Sequence, residues 1–271
     1  MLYHAQNGTI KIGTSDMDYI SFGTGDRILI MLPGLGDALR SIRGVALPFA
    51  FAYHKYAGDY KVYLFSRKNP LEDGYTIRDM ARDQAEAMRI LGITKADIVG
   101  VSQGGMIAQC LAIDYPELVH KLVLVVTASK QNETIQTVVK EWMELAKAND
   151  YKSIMIDTAE KSYSEKHLER HRPLYPILGR MGKPKDFNRF LIQADACLHH
   201  DVHAELSKIK CPTFIIGGDK DQIIGVNSAS ELHEGIAGSQ ILIYESLSHG
   251  LYEEAPDFFA KVLAFLTEGQ A

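Results

Sequence analysis

One serine of this sequence lies in a pattern that could make it a nucleophile. Residues 100–104 read Gly-Val-Ser-Gln-Gly, and they follow an apolar, strand-like stretch and open a helical one. A sharp strand-to-helix turn of this kind requires small neighbours and exposes a strained serine above the edge of a sheet. Ser102 would lie at the helix N-terminus, where free backbone N–H groups favour negative charge. The alternative interpretation is a glycine-rich turn with an incidental serine.

The surroundings of Ser102 resemble the nucleophile elbow of the α/β-hydrolase superfamily, in which the chain order of the triad is nucleophile, acid, histidine. The family's acid follows a late strand, in a pattern similar to Gly-Asp-Lys-Asp at residues 218–221. The family's histidine follows the last strand, in a pattern similar to Ser-His-Gly at residues 248–250. The resemblance implies Ser102 as nucleophile, Asp221 as acid and His249 as base.

The acid has two candidates, because Asp219 lies nearer to the end of the strand than Asp221. The spacing in the family favours Asp221, and Asp219 stays open as the alternative. The family's other acid position, after the preceding strand, reads Val-Thr-Ala-Ser at residues 126–129 and offers no carboxylate. His249 is the one histidine in a loop between the last strand and the last helix. The other nine are His4, His54, His120, His167, His171, His199, His200, His203 and His233.

A serine hydrolase also needs N–H donors for the negatively charged oxygen that forms during acyl transfer. The resemblance implies the backbone N–H of Gln103 as one donor. The second is expected from the loop at residues 33–37, at Leu35. Many relatives have His-Gly where this chain has Pro33-Gly34, a change that leaves the backbone donors in place. A plain glycine turn is the alternative for this loop.

Apolar strand-like runs alternate with amphipathic segments along most of the chain, which predicts an α/β fold with a mostly parallel central sheet flanked by helices. This arrangement is the α/β-hydrolase fold that the resemblance implies. Strands are predicted at 10–12, 19–22, 28–32, 61–65, 96–101, 122–126, 213–216 and 241–244. Helices are predicted at 39–56, 76–91, 103–115, 228–235 and 256–266.

The alternation breaks between residues 129 and 205, where apolar residues recur at helical spacing. This segment, here called the insertion, is predicted to form a helical cap over a core made of residues 1–128 and 206–271. Its aromatic side chains either line a pocket or form the interior of the cap. Its arginines Arg170, Arg172 and Arg189, with Arg67 of the core, could meet an anionic substrate but are mostly expected to be solvated.

Composition excludes several classes of function. A formal net charge of −5, with scattered Lys and Arg, gives no reason to expect a nucleic acid or a membrane as partner. Three widely spaced cysteines argue against a disulfide framework, and residues 1–7 do not resemble a secretory leader, so a cytoplasmic location is expected. The pairs His167/His171 and His199/His203 lack further ligands at metal-site spacing. A homo-oligomer is left open.

These residues predict a serine hydrolase that transfers an acyl group of a small-molecule substrate to water and requires no cofactor or metal. A serine nucleophile argues against relatives that use aspartate at this position. Ester, lactone, thioester, peptide and C–C bonds, and perhydrolysis, stay open. Two alternatives keep the same triad: a ligand-binding signal receptor without turnover, and an acyltransferase. Hydrolysis of a small activated ester would distinguish the receptor from the enzyme.

Overall fold

Eight strands joined in one sheet form the centre of the computed structural model, which describes residues 2–178 and 182–269. The order across the sheet is β1-β2-β4-β3-β5-β6-β7-β8, antiparallel from β1 to β4 and parallel from β4 to β8. The strands are β1 Gln6–Ile12, β2 Ser15–Phe22, β3 Arg27–Leu32, β4 Tyr60–Phe65, β5 Ala96–Val101, β6 Val119–Val125, β7 Thr213–Gly218 and β8 Gln240–Tyr244. The predicted mostly parallel sheet is confirmed.

Helices cover both faces of this sheet. Neighbouring residues of a strand point to opposite faces, so they contact different helices. Ile98 belongs to the apolar cluster that includes α3, α4 and α10, whereas Val99 belongs to the cluster with α2 and α12. The helices are α1 Gly36–Leu39, α2 Ala46–Ala52, α3 Ile77–Ile90, α4 Gln103–Asp114, α5 Glu133–Lys147, α6 Tyr151–Ser162, α7 Glu165–His171, α8 Tyr175–Leu178, α9 Asn188–Leu198, α10 Ser228–Gly235, α11 Leu251–Glu254 and α12 Phe258–Thr267.

The predicted continuous helix over 39–56 is wrong. The structure has the short helices α1 and α2 there, separated by a segment in which Arg40 is extended and residues 43–44 form a turn. Gly44 adopts a φ of 85°, which a helix does not accommodate, and its N–H donates to the side chain of Asn7 at 2.9 Å. The hydroxyl of Ser41 donates to Asp18. Contacts with β1 and β2 therefore replace helical hydrogen bonds in this segment.

Helices α5 to α9 form the insertion, between β6 and β7. The chain enters and leaves it through two adjacent segments: the N–H of Gln131 donates to the carbonyl of His200 at 3.1 Å, and that of Val202 to Ser129 at 2.8 Å. Trp142 of α5 and Phe190 of α9 are buried in the apolar cluster that also contains α4. Among the described residues, no helix combines the length and the apolar character needed to span a bilayer.

Candidate active site

Ser102 lies at the sharp turn between β5 and α4. Its backbone has φ 54° and ψ −121°, an uncommon conformation for a residue with a side chain. Its N–H donates to Val125 at 2.9 Å, and its carbonyl accepts from the hydroxyl of Thr127 at 2.8 Å. A Cβ on Gly104 would lie 2.0 Å from the carbonyl oxygen of Leu32, so only glycine fits there. The elbow is therefore held by the neighbouring strands β3 and β6.

Asp221 and His249 lie in the loops after β7 and β8 and contact each other. Nδ1 of His249 is 2.9 Å from Oδ2 of Asp221, and both residues are buried. Oδ1 of Asp221 accepts hydrogen bonds from the N–H groups of Ile223 and Ile224 at 2.9 and 3.0 Å. Because the carboxylate is fixed by these donors, it holds the imidazole with Nδ1 towards Asp221 and leaves Nε2 available.

The structure separates the two carboxylates that the sequence leaves as alternatives. Oδ1 of Asp219 accepts from the N–H of Ser246 at 2.6 Å, and its Oδ2 pairs with Lys220 at 3.4 Å. Asp221, and not Asp219, is the partner of His249. In residues 2–178 and 182–269 the hydroxyl of Ser102 makes no hydrogen bond, so the structure does not join it directly to His249. Catalytic hydrogen bonds often tighten only around the substrate.

The loop at residues 33–37, here called the oxyanion turn, lies against Ser102. A Cβ built on Gly34 would be 3.3 Å from Cβ of Ser102. The N–H of Asp37 donates to the carbonyl of Gly34 at 3.2 Å, which closes a turn with Leu35 at its second position. Within the described part of the chain, neither the N–H of Leu35 nor that of Gln103 has a backbone acceptor. Both donors are therefore free to bind a developing negative charge next to Ser102.

A buried polar cluster joins the oxyanion turn to the elbow. Nη2 of Arg67 donates to the carbonyl of Pro33 at 2.6 Å and to Oε1 of Gln103 at 2.9 Å. The hydroxyl of Ser66 donates to both oxygens of Asp37, at 2.8 and 2.9 Å. Burial lowers the pKa of the Arg67 guanidinium, and the charge of Asp37 opposes that shift. The guanidinium of Arg67 therefore connects the oxyanion turn, which contains the N–H of Leu35, with Gln103, which carries the other free N–H.

The sequence matches a protein family whose fold agrees with this geometry. The sequence matches the family model described as alpha/beta hydrolase fold over residues 27–256, well over half of the chain. The chain belongs to the α/β-hydrolase family. This membership confirms the family resemblance on which the interpretation of Ser102 is based.

Curated relatives of this α/β hydrolase carry names of hydrolytic enzymes. A monoacylglycerol lipase of Bos taurus is 31% identical over 177 residues, which are 61% of this chain and 52% of the relative. A pimeloyl-[acyl-carrier protein] methyl ester esterase of Neisseria meningitidis is 28% identical over 65% of this chain and 71% of its own length. The chain thus spans about half the length of the lipase that it matches.

Solved structures share the whole fold at low identity. An α/β hydrolase enzyme from a Medee basin deep-sea metagenome library superposes with a TM-score of 0.84 at 21% identity, over 97% of this chain and 98% of that one. The enol-lactonase of Burkholderia xenovorans gives a TM-score of 0.78 at 20% identity, over 96% and 100%. At this identity the similarity shows the fold alone.

The insertion contacts the loop of the catalytic histidine candidate in this α/β hydrolase. The N–H of Gly250 donates to the carbonyl of Ser162 at 2.7 Å, and the hydroxyl of Ser248 donates to the carbonyl of Lys161 at 2.6 Å. The hydroxyl of Tyr163 donates to Glu253 at 2.7 Å. The end of α6 therefore fixes the residues on both sides of His249.

His167, His171 and His199 of the insertion contact other side chains on its surface. The rings of His167 and His171 stack with centroids 4.1 Å apart, and Nδ1 of His167 is 4.0 Å from Glu254. The ring of His199 is exposed and pairs with Asp195. Across residues 2–178 and 182–269, no group of three or more His, Cys, Asp or Glu side chains could hold a metal ion.

Sequence reasoning missed three residues of the site. No role was predicted for Asp37. The expectation that the arginines are mostly solvated is wrong for Arg67, which is 1% exposed, and for Arg189, whose side chain is 15% exposed. The same expectation holds for Arg172 on the surface of the insertion, whose side chain is 40% exposed. The only available signal was the position of Asp37 directly after the glycines of the oxyanion turn.

Proposed function

We propose that this chain hydrolyses carboxylic esters, or related acyl bonds, of small molecules through Ser102, His249 and Asp221. The observation that supports this most directly is the buried pair of His249 and Asp221 in the loops after β7 and β8. The carboxyl ends of parallel strands meet at one edge of the sheet. The pair therefore lies at the edge where the turn after β5 presents Ser102 in its strained conformation.

In the first half of the reaction, Oγ of Ser102 attacks the carbonyl carbon while Nε2 of His249 takes the hydroxyl proton. The carbonyl electron pair moves to the oxygen, where the N–H groups of Leu35 and Gln103 stabilise the negative charge. Asp221 holds the imidazole and favours its protonated form. Collapse of the tetrahedral intermediate expels the alcohol oxygen, which takes the proton from His249 and leaves an acyl-serine.

In the second half, water attacks the acyl-serine and His249 takes a proton from it. The same two N–H groups stabilise the second tetrahedral intermediate, which collapses to release the acid. The proton returns from His249 to Oγ of Ser102. Each step uses only this chain's own residues and water, and the free enzyme is restored.

The names of the relatives support an ester substrate, because a monoacylglycerol lipase and a methyl ester esterase both cleave esters. We further propose that the insertion acts as a cap over the substrate. Its helices carry buried aromatic residues, among them Trp142 and Phe190. Most of this aromatic surface packs in the apolar cluster, and the indole N–H of Trp142 donates to Asp157 at 2.6 Å. The cap interior therefore uses much of the aromatic surface that could otherwise line a pocket.

The test is hydrolysis of p-nitrophenyl acetate and butyrate by the wild type and by Ser102→Ala. Turnover that disappears in the variant supports the proposal, and a fluorophosphonate, which loses fluoride to the serine oxygen, should leave a phosphonyl group that is visible as a mass increase on Ser102. Ser246→Ala is the matched control, because Ser246 also has a left-handed backbone, with φ 60°, but lies in an exposed turn. The control should retain full activity.

Three outcomes would contradict the proposal. Equal activity in the wild type and in Ser102→Ala would show that another group is the nucleophile. Labelling of Ser102 without turnover of any ester, lactone or thioester would favour a ligand-binding receptor. Transfer of the acyl group to an added alcohol in preference to water would favour an acyltransferase.

A further inference from the structure

We propose that Arg189 of α9 is a positioning residue that holds the oxyanion turn in its active geometry through Asp37. This inference rests on the proposed function, because it gives the insertion a part in stabilising the transition state. The consequence is that the oxyanion hole is complete only while α9 of the insertion is docked on the core.

One guanidinium makes the hydrogen bonds between α9 and the oxyanion turn that the described residues show. Nη1 of Arg189 donates to the carbonyl oxygen of Asp37, and Nη2 donates to Oδ2 of the same residue at 2.8 Å. Nη2 also lies 3.0 Å from the hydroxyl of Ser66 and 3.2 Å from the carbonyl of Arg67. The side chain of Asp37 is fully buried. Arg189 therefore fixes both the backbone and the side chain of Asp37 against the end of β4.

Asp37 transmits this restraint to the expected N–H donor. Its own N–H closes the turn on Gly34, and the carbonyl that Arg189 binds belongs to the same residue. Leu35 lies inside that turn. A donor must lie about 2.7–3.1 Å from the oxyanion to be effective, so a small displacement of the turn reduces stabilisation of the transition state. Binding of the ground-state carbonyl depends less on that distance.

The second donor is also tied to α9. Nε2 of Gln103 donates to the carbonyl of Gln193 at 3.0 Å and lies 3.2 Å from Sγ of Cys197. Both acceptors belong to α9, as does Arg189. One helix of the insertion thus contacts the residues that carry both expected oxyanion donors. A substrate that keeps α9 docked keeps both donors in place.

The test compares Arg189→Met with Arg172→Met on p-nitrophenyl butyrate. Arg172 is the matched control, because it lies on the same insertion and pairs with Glu160 and Glu165 on its surface. We expect Arg189→Met to lower kcat about 10- to 100-fold, less than the roughly 10²–10³-fold loss of a whole donor. KM should change less than about threefold, since the carbonyl of the bound ester is unaffected. Arg172→Met should match the wild type.

A second readout is specific for the oxyanion hole. Trifluoromethyl propyl ketone forms a tetrahedral adduct with a catalytic serine and places a negative oxygen where the transition state has one. Its inhibition constant should rise in Arg189→Met by the same factor by which kcat/KM falls. The inhibition constant of butyrate, which forms no adduct, should stay the same. A residue that only supports the fold would weaken both.

Arg189→Lys covers the case in which the Met variant does not fold. Lysine keeps the charge near Asp37 but loses the two-point contact, so kcat should fall by a smaller factor at unchanged KM. Equal kcat in wild type, Arg189→Lys and Arg189→Met would overturn this inference and leave the proposed function intact. A rise in KM alone would make Arg189 a substrate-binding residue and would also overturn it. A wild type without ester turnover would overturn the proposed function and this inference together.

Discussion

On one half of the site, here called the oxyanion side, the insertion reaches the core through a buried ion pair between Arg189 and Asp37. On the other half, here called the histidine side, it does so with single hydrogen bonds. Lys161 and Ser162 accept through their backbone carbonyls from Ser248 and Gly250, and Tyr163 and Ser164 donate to Glu253 and Glu254. Removing one partner of a buried ion pair leaves a charge uncompensated and costs about 3–5 kcal/mol. Losing one neutral hydrogen bond costs about 1 kcal/mol.

This difference implies that the two sides tolerate motion of the insertion to different extents. A guanidinium that binds two atoms of Asp37 fixes an orientation, whereas single hydrogen bonds from separate residues permit small rotations. We infer that the oxyanion side keeps a fixed geometry and that the histidine side can adjust when a substrate enters. The histidine itself is held from the core by Asp221. The four predictions below test this contrast, in order of decreasing effect.

Asp221→Asn should have the largest effect and would show that the histidine side depends on the core. An asparagine can still accept from Ile223 and Ile224, but its amide would donate to Nδ1 of His249. The proton would then reside on Nε2, which could no longer act as a base towards Ser102. We expect kcat to fall about 10⁴-fold with a small change in KM. Steady-state kinetics on p-nitrophenyl butyrate measure this loss.

Asp219→Asn is the control for that prediction, because Asp219 lies in the same loop but its side chain binds Ser246 and Lys220 and not His249. Its kcat should stay within a few-fold of the wild-type value. A loss as large as that of Asp221→Asn would reverse the assignment of the two carboxylates.

Gly104→Ala should strongly destabilise the oxyanion side, because Gly104 packs against Leu32 and Pro33 at the start of the oxyanion turn. The added Cβ would lie 2.0 Å from the carbonyl oxygen of Leu32 and 2.7 Å from that of Pro33, both of them backbone atoms. We expect the free energy of unfolding to fall by about 3 kcal/mol or more. Urea unfolding followed by circular dichroism gives the value.

Gly36→Ala is the matched control, since a Cβ at Gly36 of the oxyanion turn would meet no atom within 4 Å. It should leave stability within about 0.5 kcal/mol of the wild type. Equal stability of both variants would mean that the oxyanion side is not closely packed, which would remove the contrast with the histidine side.

The sequence predicts the two sides unequally well. Ser102, Asp221 and His249 each follow a strand, and since the ends of parallel strands meet at one edge, their local patterns are enough to bring them together. Asp37 and Arg189 are separated by 152 positions and lie in segments whose own patterns do not predict contact. Whether such segments form a buried ion pair depends on how the insertion packs on the core, and no local pattern of the sequence predicts that packing. The contacts of Arg67 with Pro33 and Gln103 escaped prediction for the same reason.

His200 makes the junction between core and insertion sensitive to acid. It is buried, and the loss of hydration lowers its pKa from 6.5 to about 4, with Arg78 acting in the same direction and Asp201 against it. The unfolded chain takes up a proton below about pH 6.5, whereas the folded chain does so only near pH 4. The contribution of His200 to stability is therefore complete above about pH 6.5 and falls by about 3 kcal/mol as the pH approaches 4.

We expect His200→Leu to lose less stability than the wild type between pH 7.5 and pH 4. The difference between the two proteins is the relevant quantity, because many carboxylates titrate in the same range. His199→Leu is the control, since the ring of His199 is exposed and lies next in the chain. Urea unfolding at each pH gives the curves. Parallel curves for wild type and His200→Leu would contradict the prediction.

Ser248→Ala should have the smallest effect and tests the histidine side directly. The substitution removes the hydrogen bond from the Ser248 hydroxyl to the carbonyl of Lys161 and the longer one, of 3.4 Å, that this hydroxyl accepts from the N–H of Gln222. It leaves the N–H of Gly250 bound to Ser162. We expect a loss of about 1 kcal/mol in the free energy of unfolding. We expect kcat to change less than about threefold, because Asp221 holds His249 from the core and the lost hydrogen bonding lies outside the reacting groups. A decrease in kcat as large as that of Arg189→Met would show that the insertion positions both halves of the site, and the contrast between the two sides would then be wrong.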